Sequence, residues 1–489
     1  MRKYCFVVFT LCHIAVQAQL VPQQREDLAS LSPLPTRQQL SWHETEFYLF
    51  AHFGPNTFTD KEWGKGDEPA AIFSPTGFNA RQWCRIAKAA GAKGIIITAK
   101  HHDGFCLWPS KFSKHTVKES KWKGGQGDVL KELSRACRES GLKFGVYLSP
   151  WDRNHPDYGT EKYNDVFTGM LKEIFQHYGP VWELWWDGAN GEGPNARLTD
   201  SVGQGKKQQY DWRRFENIVR QYSPKTVVFS DIGPDIRWVG NENGIAGDPN
   251  WNFLDTAGFK RGEGAPPTDT LNHGNYNGNH WIPAECDVSI RPGWFYHAAE
   301  DDKVKTPQQL FDIYLKSVGR GANLLLNVPP DRRGLISDED SASLIGFKKL
   351  RDGSFDDNLL KQASTYYEFT QQDFSGKPLA LRSFDSTAAG YGINLQNFIV
   401  QLQQPATVNC IVLREAIHLG QTVRKFSIVL YNGNKIIREI PGTSVGRKRI
   451  LTFPVTSITS FRVYLQDARG NDNISGVAAY LIDDKLVEK

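Results

Sequence analysis

Apolar runs of β character alternate with amphipathic helical stretches as far as residue 351, and this alternation constrains the fold of the 489-residue chain more than any other feature. EFYLFAHF at 46–53, GIIITAK at 94–100, KFGVYL at 143–148, VWELWW at 181–186 and TVVF at 226–229 read as strands with few polar interruptions. Residues 79–90, 130–140, 163–177 and 212–222 read as the helices between them, the first carrying Trp83, Ile86, Ala87 and Ala90 on one face. Near-continuous apolar strands separated by helices are what a parallel sheet buried on both faces requires. The number of βα units over roughly 330 residues favours a closed barrel over an open sheet. Residues 233–296, rich in Gly, Asn, Asp and Trp, are less regular and are expected to form substrate-side loops. A helix over 307–318, the strand NLLLNV at 323–328 and a helix around 341–351 then close the pattern.

From about Asp357 the texture changes to short alternating segments without helices: 397–402, 410–413, 425–431, 436–439, 450–453, 460–465 and 476–481, with Asn432-Gly433 as a hairpin turn. The expected fold class is therefore α/β: a (β/α)8-like (TIM) barrel over residues 19–355, followed by a C-terminal all-β sandwich over 356–489. The first 18 residues have the basic start, short apolar run (Tyr4 to Val16) and small-residue end of a secretory leader, with cleavage after Ala18 and a periplasmic or secreted product expected. That run is shorter than the ~20 residues of a spanning helix and no later segment qualifies, so membrane insertion is not expected. Lys and Arg exceed Asp and Glu by only 4, and by 2 once Arg2 and Lys3 leave, which gives no electrostatic footprint for nucleic acid. Fourteen Trp suit a core-rich fold whose clefts also offer flat platforms to sugar faces. Beyond the leader, Cys84, Cys106, Cys137, Cys286 and Cys410 are odd in number and show no C-x-x-C pair, so they read mainly as small buried apolar residues.

In a parallel barrel the chemistry collects at the carboxyl ends of the strands. The first strand ends in His52-Phe53-Gly54, the second in Lys100-His101-His102-Asp103-Gly104, the third in Ser149-Pro150-Trp151 and the fourth in Trp185-Trp186-Asp187-Gly188. A glycine beside a polar residue, as at the first, second and fourth of these ends, is read as a turn that leaves the side chain in the mouth. His101 and His102, being adjacent, are expected to point to different sides, and no third residue offers metal-ligand spacing, so no metal is expected. Neutral imidazoles binding sugar hydroxyls, or histidines that cap their strands, are the remaining readings. Asp187 follows large apolar residues, and a carboxylate there is either an ion-paired strut or a nucleophile; spacing leaves both open.

Taken in order, His-Phe-Gly at 52–54, Lys-His-His-Asp-Gly-Phe at 100–105, Trp-Trp-Asp-Gly at 185–188, Arg-Trp-Val-Gly-Asn-Glu at 237–242 and Gly-Trp-Phe-Tyr at 293–296 resemble the α-L-fucosidases of glycoside hydrolase family 29. The last two motifs, with Glu62-Trp63-Gly64, are most similar to the subgroup that prefers α-1,3- and α-1,4-linked fucose. Leu413-Arg414-Glu415 with Gly420-Gln421 extends the resemblance into a discoidin-like (F5/8 type C) sandwich. The resemblance implies a retaining exo-hydrolase acting on fucosylated oligosaccharides or glycoproteins, with Asp187 as nucleophile and Glu242 as acid/base. It also implies that His52, His101 and His102 bind fucose hydroxyls, helped by Glu62 or Trp63, with neighbouring Glu68 the alternative to Glu62. Trp185 is expected to wall the pocket and Arg237 to orient Asp187 or Glu242. Trp294 is expected to pack on a sugar, an ordinary core role being its alternative. No cofactor is implied, while a structural calcium in the sandwich and the oligomeric state stay open. An α-L-galactosidase of the same fold and a catalytically inactive carbohydrate-binding protein are the competing readings. The segment Gly191 to Gln209 is longer than the family leads one to expect.

Overall fold

The computed structural model describes residues 32–188, 208–261, 264–367, 397–470 and 474–487. The expected leader and most of the Gly191 to Gln209 segment lie outside them. Eight parallel strands close into a barrel: β1 Phe47–Ala51, β2 Gly94–Lys100, β3 Lys143–Leu148, β4 Glu183–Trp185, β5 Val227–Ser230, β6 Ile236–Trp238, β9 Ala284–Ser289 and β10 Asn323–Asn327. A small antiparallel pair, β7 Phe253–Leu254 and β8 His280–Trp281, lies between β6 and β9 in sequence and outside the barrel. Closure is made at β1, which pairs with β10 on one side (Phe47 opposite Leu324) and with β2 on the other (Leu49 opposite Ile95). The fold class is the expected one. Among the described residues no helix is long and apolar enough to cross a membrane.

The outer helices start where the sequence supplies a cap. The Asn79 side chain accepts from Gln82 N ahead of helix Ala80–Ala89, and Asp128 accepts from Lys131 N ahead of helix Val129–Ser140. Thr306 and Gln309 form a capping box ahead of helix Pro307–Lys316. Each helix lays its apolar face on the outward residues of the strands; Trp83, Cys84, Ile86 and Ala87 do so for the first. Along the strands the two-residue period separates two cores. Phe47, Leu49 and Ala51 face the helices, whereas Tyr48 and Phe50 join Ile96, Tyr147, Trp185, Phe229, Ile236 and Leu325 inside the barrel.

Two barrel strands fall in the stretch that reads as irregular. In β6 and β9, Arg237, Glu285 and Asp287 interrupt the apolar run that marks the other strands. Inside the barrel Glu285 accepts from Trp185 Nε1 (2.8 Å) and from the Tyr48 hydroxyl, while Glu183 accepts from Trp42 Nε1 (3.0 Å). Burial raises both carboxyls, and the charge of Glu285 raises Glu183 well beyond the usual carboxylate range, so the pair holds a proton.

The C-terminal strands are β11 Ser364–Tyr367, β12 Asn397–Glu415, β13 Val423–Asn432, β14 Lys435–Gly442, β15 Arg449–Ala468 and β16 Ile474–Tyr480, all antiparallel, in the order β11-β12-β15-β13-β14 with β16 on β12. Segments 397–402 and 410–413 are one strand rather than two, as are 450–453 and 460–465. Register shifts between Gln401 and Ala406 and between Val408 and Cys410 break the polar-apolar period there, which is why the sequence divides them. Phe398, Val408, Ile411, Phe426, Ile428 and Phe461 form the core of this part.

Barrel and C-terminal sheet meet at Glu46, which sits beside Lys448 (2.6 Å) and Arg447 (3.3 Å). Burial alone would raise its carboxyl, but the charges of Lys448 and Arg447 win and bring it to about 2. Lys448 is itself lowered to about 8, because burial and its fellow cations outweigh one anion. Glu46 therefore contributes stability above its unfolded pKa, and that contribution is lost as pH falls through the depressed folded value. Lys448 stays protonated throughout that window. We expect Glu46→Gln to cost about 1–3 kcal/mol at neutral pH. Melting midpoints of the two proteins should converge between about pH 4.5 and pH 2.

Candidate active site

Side chains at the carboxyl ends of the strands and on the loops beyond them converge on a cavity of about 160 Å³ lined by Phe50, His52, Glu62, Trp63, His101, His102, Tyr147, Trp185, Asp187, Glu242, Asp287 and Trp294. On β1 the inward alternation of Tyr48 and Phe50 continues to His52. Its Nδ1 lies 2.9 Å from Asn327 Oδ1, an atom that only accepts, so Nδ1 carries the proton and Nε2 is left as an acceptor. Burial lowers the His52 pKa to about 3, which keeps the ring neutral. Asn327 also donates to Ser289 Oγ (2.9 Å) and to the Trp294 carbonyl (2.8 Å), so one amide at the end of β10 brackets three parts of the rim.

His102 is set in the same way. The Ser149 hydroxyl donates to the Trp151 carbonyl (2.9 Å) and so must accept from His102 Nδ1 (2.8 Å). Burial, with the charges of Lys100 and Arg153, brings the His102 pKa to about 3. Its acceptor Nε2 lies 3.8 Å from Asp187 Oδ2, two acceptors facing each other with room for a donor hydroxyl between their lone pairs. The expectation that His101 and His102 point to different sides is corrected: both line the cavity, with ring centroids 4.1 Å apart. β2 ends at Lys100, and the chain turns at Gly104 (φ 81°), so strand alternation no longer applies to the two histidines. His101, lowered far below the usual range by burial, stacks on Tyr147. Lys100 turns away into a buried ion pair with Asp152 at 3.2 Å.

Asp187 lies two residues past β4, on the inward side shared with Glu183 and Trp185. It accepts from the Tyr147 hydroxyl at 2.9 Å. Burial and the Asp187 charge raise the phenol pKa well above its ordinary value, so Tyr147 remains a donor. Trp185 lies flat between Phe229 (3.9 Å, 8°) and Tyr147 (5.3 Å, 27°), and its N–H bond to Glu285 fixes the indole in its plane. Gly188 is required here for closeness: a Cβ would lie 2.1 Å from Asp231 Oδ2. The Asp231 carboxyl, raised by burial and by Asp187 to about 6, packs directly behind this turn.

Glu242 reaches the same cavity from the loop after β6. Asn241 shapes that loop, accepting from Asn243 N (3.1 Å) and donating to the Ile245 carbonyl (2.8 Å). Burial raises the Glu242 carboxyl and the charges of Asp187 and Glu62 add to it, while the Trp294 N–H (3.2 Å) holds it down. Glu62 is tied to one loop: its oxygens accept from the Trp294 and Phe295 backbone (2.7 and 3.1 Å) and from His297 Nε2 (2.7 Å). It thus secures the loop that carries Trp294. Glu68 instead closes a local turn through Lys65 N and Gly66 N. Trp63 stands edge-on to His102 and Trp151 and is 37% exposed, a wall open to a larger ligand. Phe50, Tyr147 and Asp287 were not singled out by sequence. The two-residue period back from His52, Ser149 and a recognised β9 would have found them. Asp287 accepts from Trp238 Nε1 (2.9 Å), and burial pushes its carboxyl well above the usual carboxylate range.

Arg237 is the exception. It is fully buried away from the cavity, where its guanidinium donates to the carbonyls of Leu271 (2.8 Å), Trp251 (3.0 Å) and Ile282 and to Asn250 Oδ1 (3.2 Å). It orients neither Asp187 nor Glu242. The inward positions of β6 are Ile236 and Trp238, so Arg237 must face out, where it collects carbonyls that have no strand partner. We expect Arg237→Lys to cost about 2–4 kcal/mol, because one ammonium cannot serve four acceptors. Thermal melts should show the loss, while kcat/KM of the folded fraction changes less than about twofold.

The family model for α-L-fucosidase matches residues 35–349. α-L-Fucosidase 1 of Arabidopsis thaliana is 38% identical over 487 residues, covering 98% of this chain and 93% of its own. A glycoside hydrolase 29 family member from an unknown rumen bacterium superposes with a TM-score of 0.81 at 37% identity, over 92% of this chain and 78% of that one. The Ruminococcus gnavus family 29 fucosidase in complex with fucose gives 0.79 at 28% identity, over 93% and 96%. A barrel whose strand ends gather carboxyls, neutral imidazoles and indoles around one small cavity, matched along nearly its whole length, belongs to the α-L-fucosidases of glycoside hydrolase family 29.

Proposed function

We propose that this α-L-fucosidase is a retaining exo-enzyme that removes terminal α-1,3- or α-1,4-linked L-fucose by double displacement. The observation that carries the reading is that Asp187 and Glu242 open into one cavity under opposite settings. Asp187 receives a phenolic hydrogen bond, which favours its anion. Glu242 is raised by burial and by the Asp187 charge, which favours its acid form. In the first step the Asp187 carboxylate attacks the anomeric carbon as Glu242 gives its proton to the departing oxygen, leaving a fucosyl ester. In the second, Glu242 takes a proton from water, whose oxygen attacks the same carbon and expels Asp187. The acceptor nitrogens of His52 and His102 suit sugar O–H groups, and the indoles of Trp185 and Trp294 suit apolar ring faces. The linkage preference rests on the Glu62-Trp63 and Trp294 motifs and is supported by the indoles of Trp63 and Trp294 lining the cavity. A discoidin-like identity for the C-terminal part, and export after Ala18, belong to the same reading.

Product analysis, variants and the pH profile test it. NMR of the first product anomer should show retention, and Lewis-type trisaccharides should be cleaved faster than α-1,2-linked fucose; inversion, or preference for an α-L-galactoside, sinks the reading. Asp187→Gly should lose turnover by at least about a thousandfold, with azide restoring a product of inverted configuration. Glu242→Ala should spare a nitrophenyl fucoside relative to natural glycans, since only poor leaving groups need the proton. Because Glu242 must be protonated to act, kcat/KM should fall as pH rises through its raised pKa. Trp294→Phe removes the bond that holds that value down, so the alkaline limb should move to higher pH whatever happens to the absolute rate.

A further inference from the structure

Helices Ala80–Ala89 and Val129–Ser140 pack side by side on the outside of the barrel, and at their contact Cys84 Sγ lies 3.8 Å from Cys137 Sγ. Both side chains are fully buried. The pair lies among helix-facing core residues, on the far side of β2 and β3 from the cavity. Cys106, Cys286 and Cys410 are each buried and free, and among the described residues none of them shows such a contact with another cysteine. We propose that Cys84 and Cys137 are a cross-linking site, closing to a disulfide by exchange with a low-molecular-weight or protein disulfide.

The exchange balances without a further reactant. The Cys84 thiolate attacks one sulfur of the external disulfide and expels one thiolate. Cys137, losing its proton, then attacks the mixed disulfide at Cys84 Sγ and expels the second. Two protein thiols are oxidised, one external disulfide is reduced to two thiols, and both protons end on the released sulfurs. Geometry assigns the order. Hydrogen bonding from Cys137, joined by Ser140, lowers the Cys84 pKa and makes it the attacking sulfur. Cys137 stands one turn before the end of its helix at Gly141, where the backbone enters the left-handed region (φ 69°), so local fraying there opens the contact at least cost. The bond needs the sulfurs at roughly 2 Å, so the 3.8 Å contact must close by rotation of the two short side chains and a slight approach of the helices.

The link would close a loop of about 50 residues containing β2, His101 and His102, and so staple the segment that carries two cavity imidazoles. To test it, the purified full-length protein is held with oxidised glutathione a few degrees below its melting midpoint, then denatured, alkylated and mapped by mass spectrometry. We expect a Cys84–Cys137 peptide pair lighter by two hydrogens, alkylation of Cys106, Cys286 and Cys410, and a melting midpoint raised by roughly 3–6 °C with kcat unchanged. Cys84→Ala and Cys137→Ala should each lack the pair and the rise. Alkylation of both cysteines after that treatment, or a cross-link between any other two, overturns the proposal. A Cys84–Cys137 link that leaves the midpoint unmoved overturns its role as a staple. The map is made on the natural sequence, so the outcome does not depend on either variant folding.

Discussion

Closure of the barrel at β1 is the constraint on which the rest of the molecule depends. A parallel strand bonded to β10 on one side and to β2 on the other cannot slip by one residue without exchanging Tyr48 and Phe50 for Leu49 and Ala51 inside the barrel. With that register held, all eight carboxyl ends open at one mouth, and the inward side chains at and just beyond them have nowhere to go but a common space. His52, Asp187 and Asp287 meet there for this reason, although they are far apart in the chain.

Burial then does different work on each group. It strips the charge from His52, His101 and His102, and the acceptors Asn327 Oδ1 and Ser149 Oγ decide which nitrogen of two of them keeps its proton. It pushes Glu242 and Asp287 towards their neutral forms. Deeper in the barrel it makes Glu183 and Glu285 hold a proton between them, and Glu285 passes the consequence to the cavity by fixing the Trp185 indole. Neutral donors and acceptors of defined direction are what a hydroxyl-rich, uncharged ligand needs, since a cavity of ionised groups would cost more to desolvate than such a ligand returns.

Much of this was legible in the residues, and the failures are physical. β2 and β3 were bounded correctly because they are continuous apolar runs. β6 and β9 were missed because the positions that face the barrel interior there include Glu285 and Asp287, so the apolar signal of a buried strand is absent where the chain builds its polar interior. Asp187 was found from its place after an apolar run, and Glu242 only through its motif, since a loop held by an Asn241 turn has no periodicity to read. Arg237 was misassigned because a motif gives spacing but not facing; the side on which β6 presents it depends on a pairing with β9 that the sequence conceals. His101 and His102 were treated as strand residues when they already belong to a turn.

The segment that follows Glu242 is pinned within a few residues to the C-terminal sheet. Gln421 clasps Asn252 N (2.8 Å) and the Asn250 carbonyl (2.9 Å), Ser444 accepts from Asn250 N (3.0 Å), and Arg449 holds Asp248. The all-β part is therefore not a detachable accessory in the manner of a module strung on a linker. A chimaera that traded it for an unrelated partner would keep the nucleophile's scaffold intact yet unmoor the chain that carries the second carboxyl, so the two halves are free to diverge only as a couple.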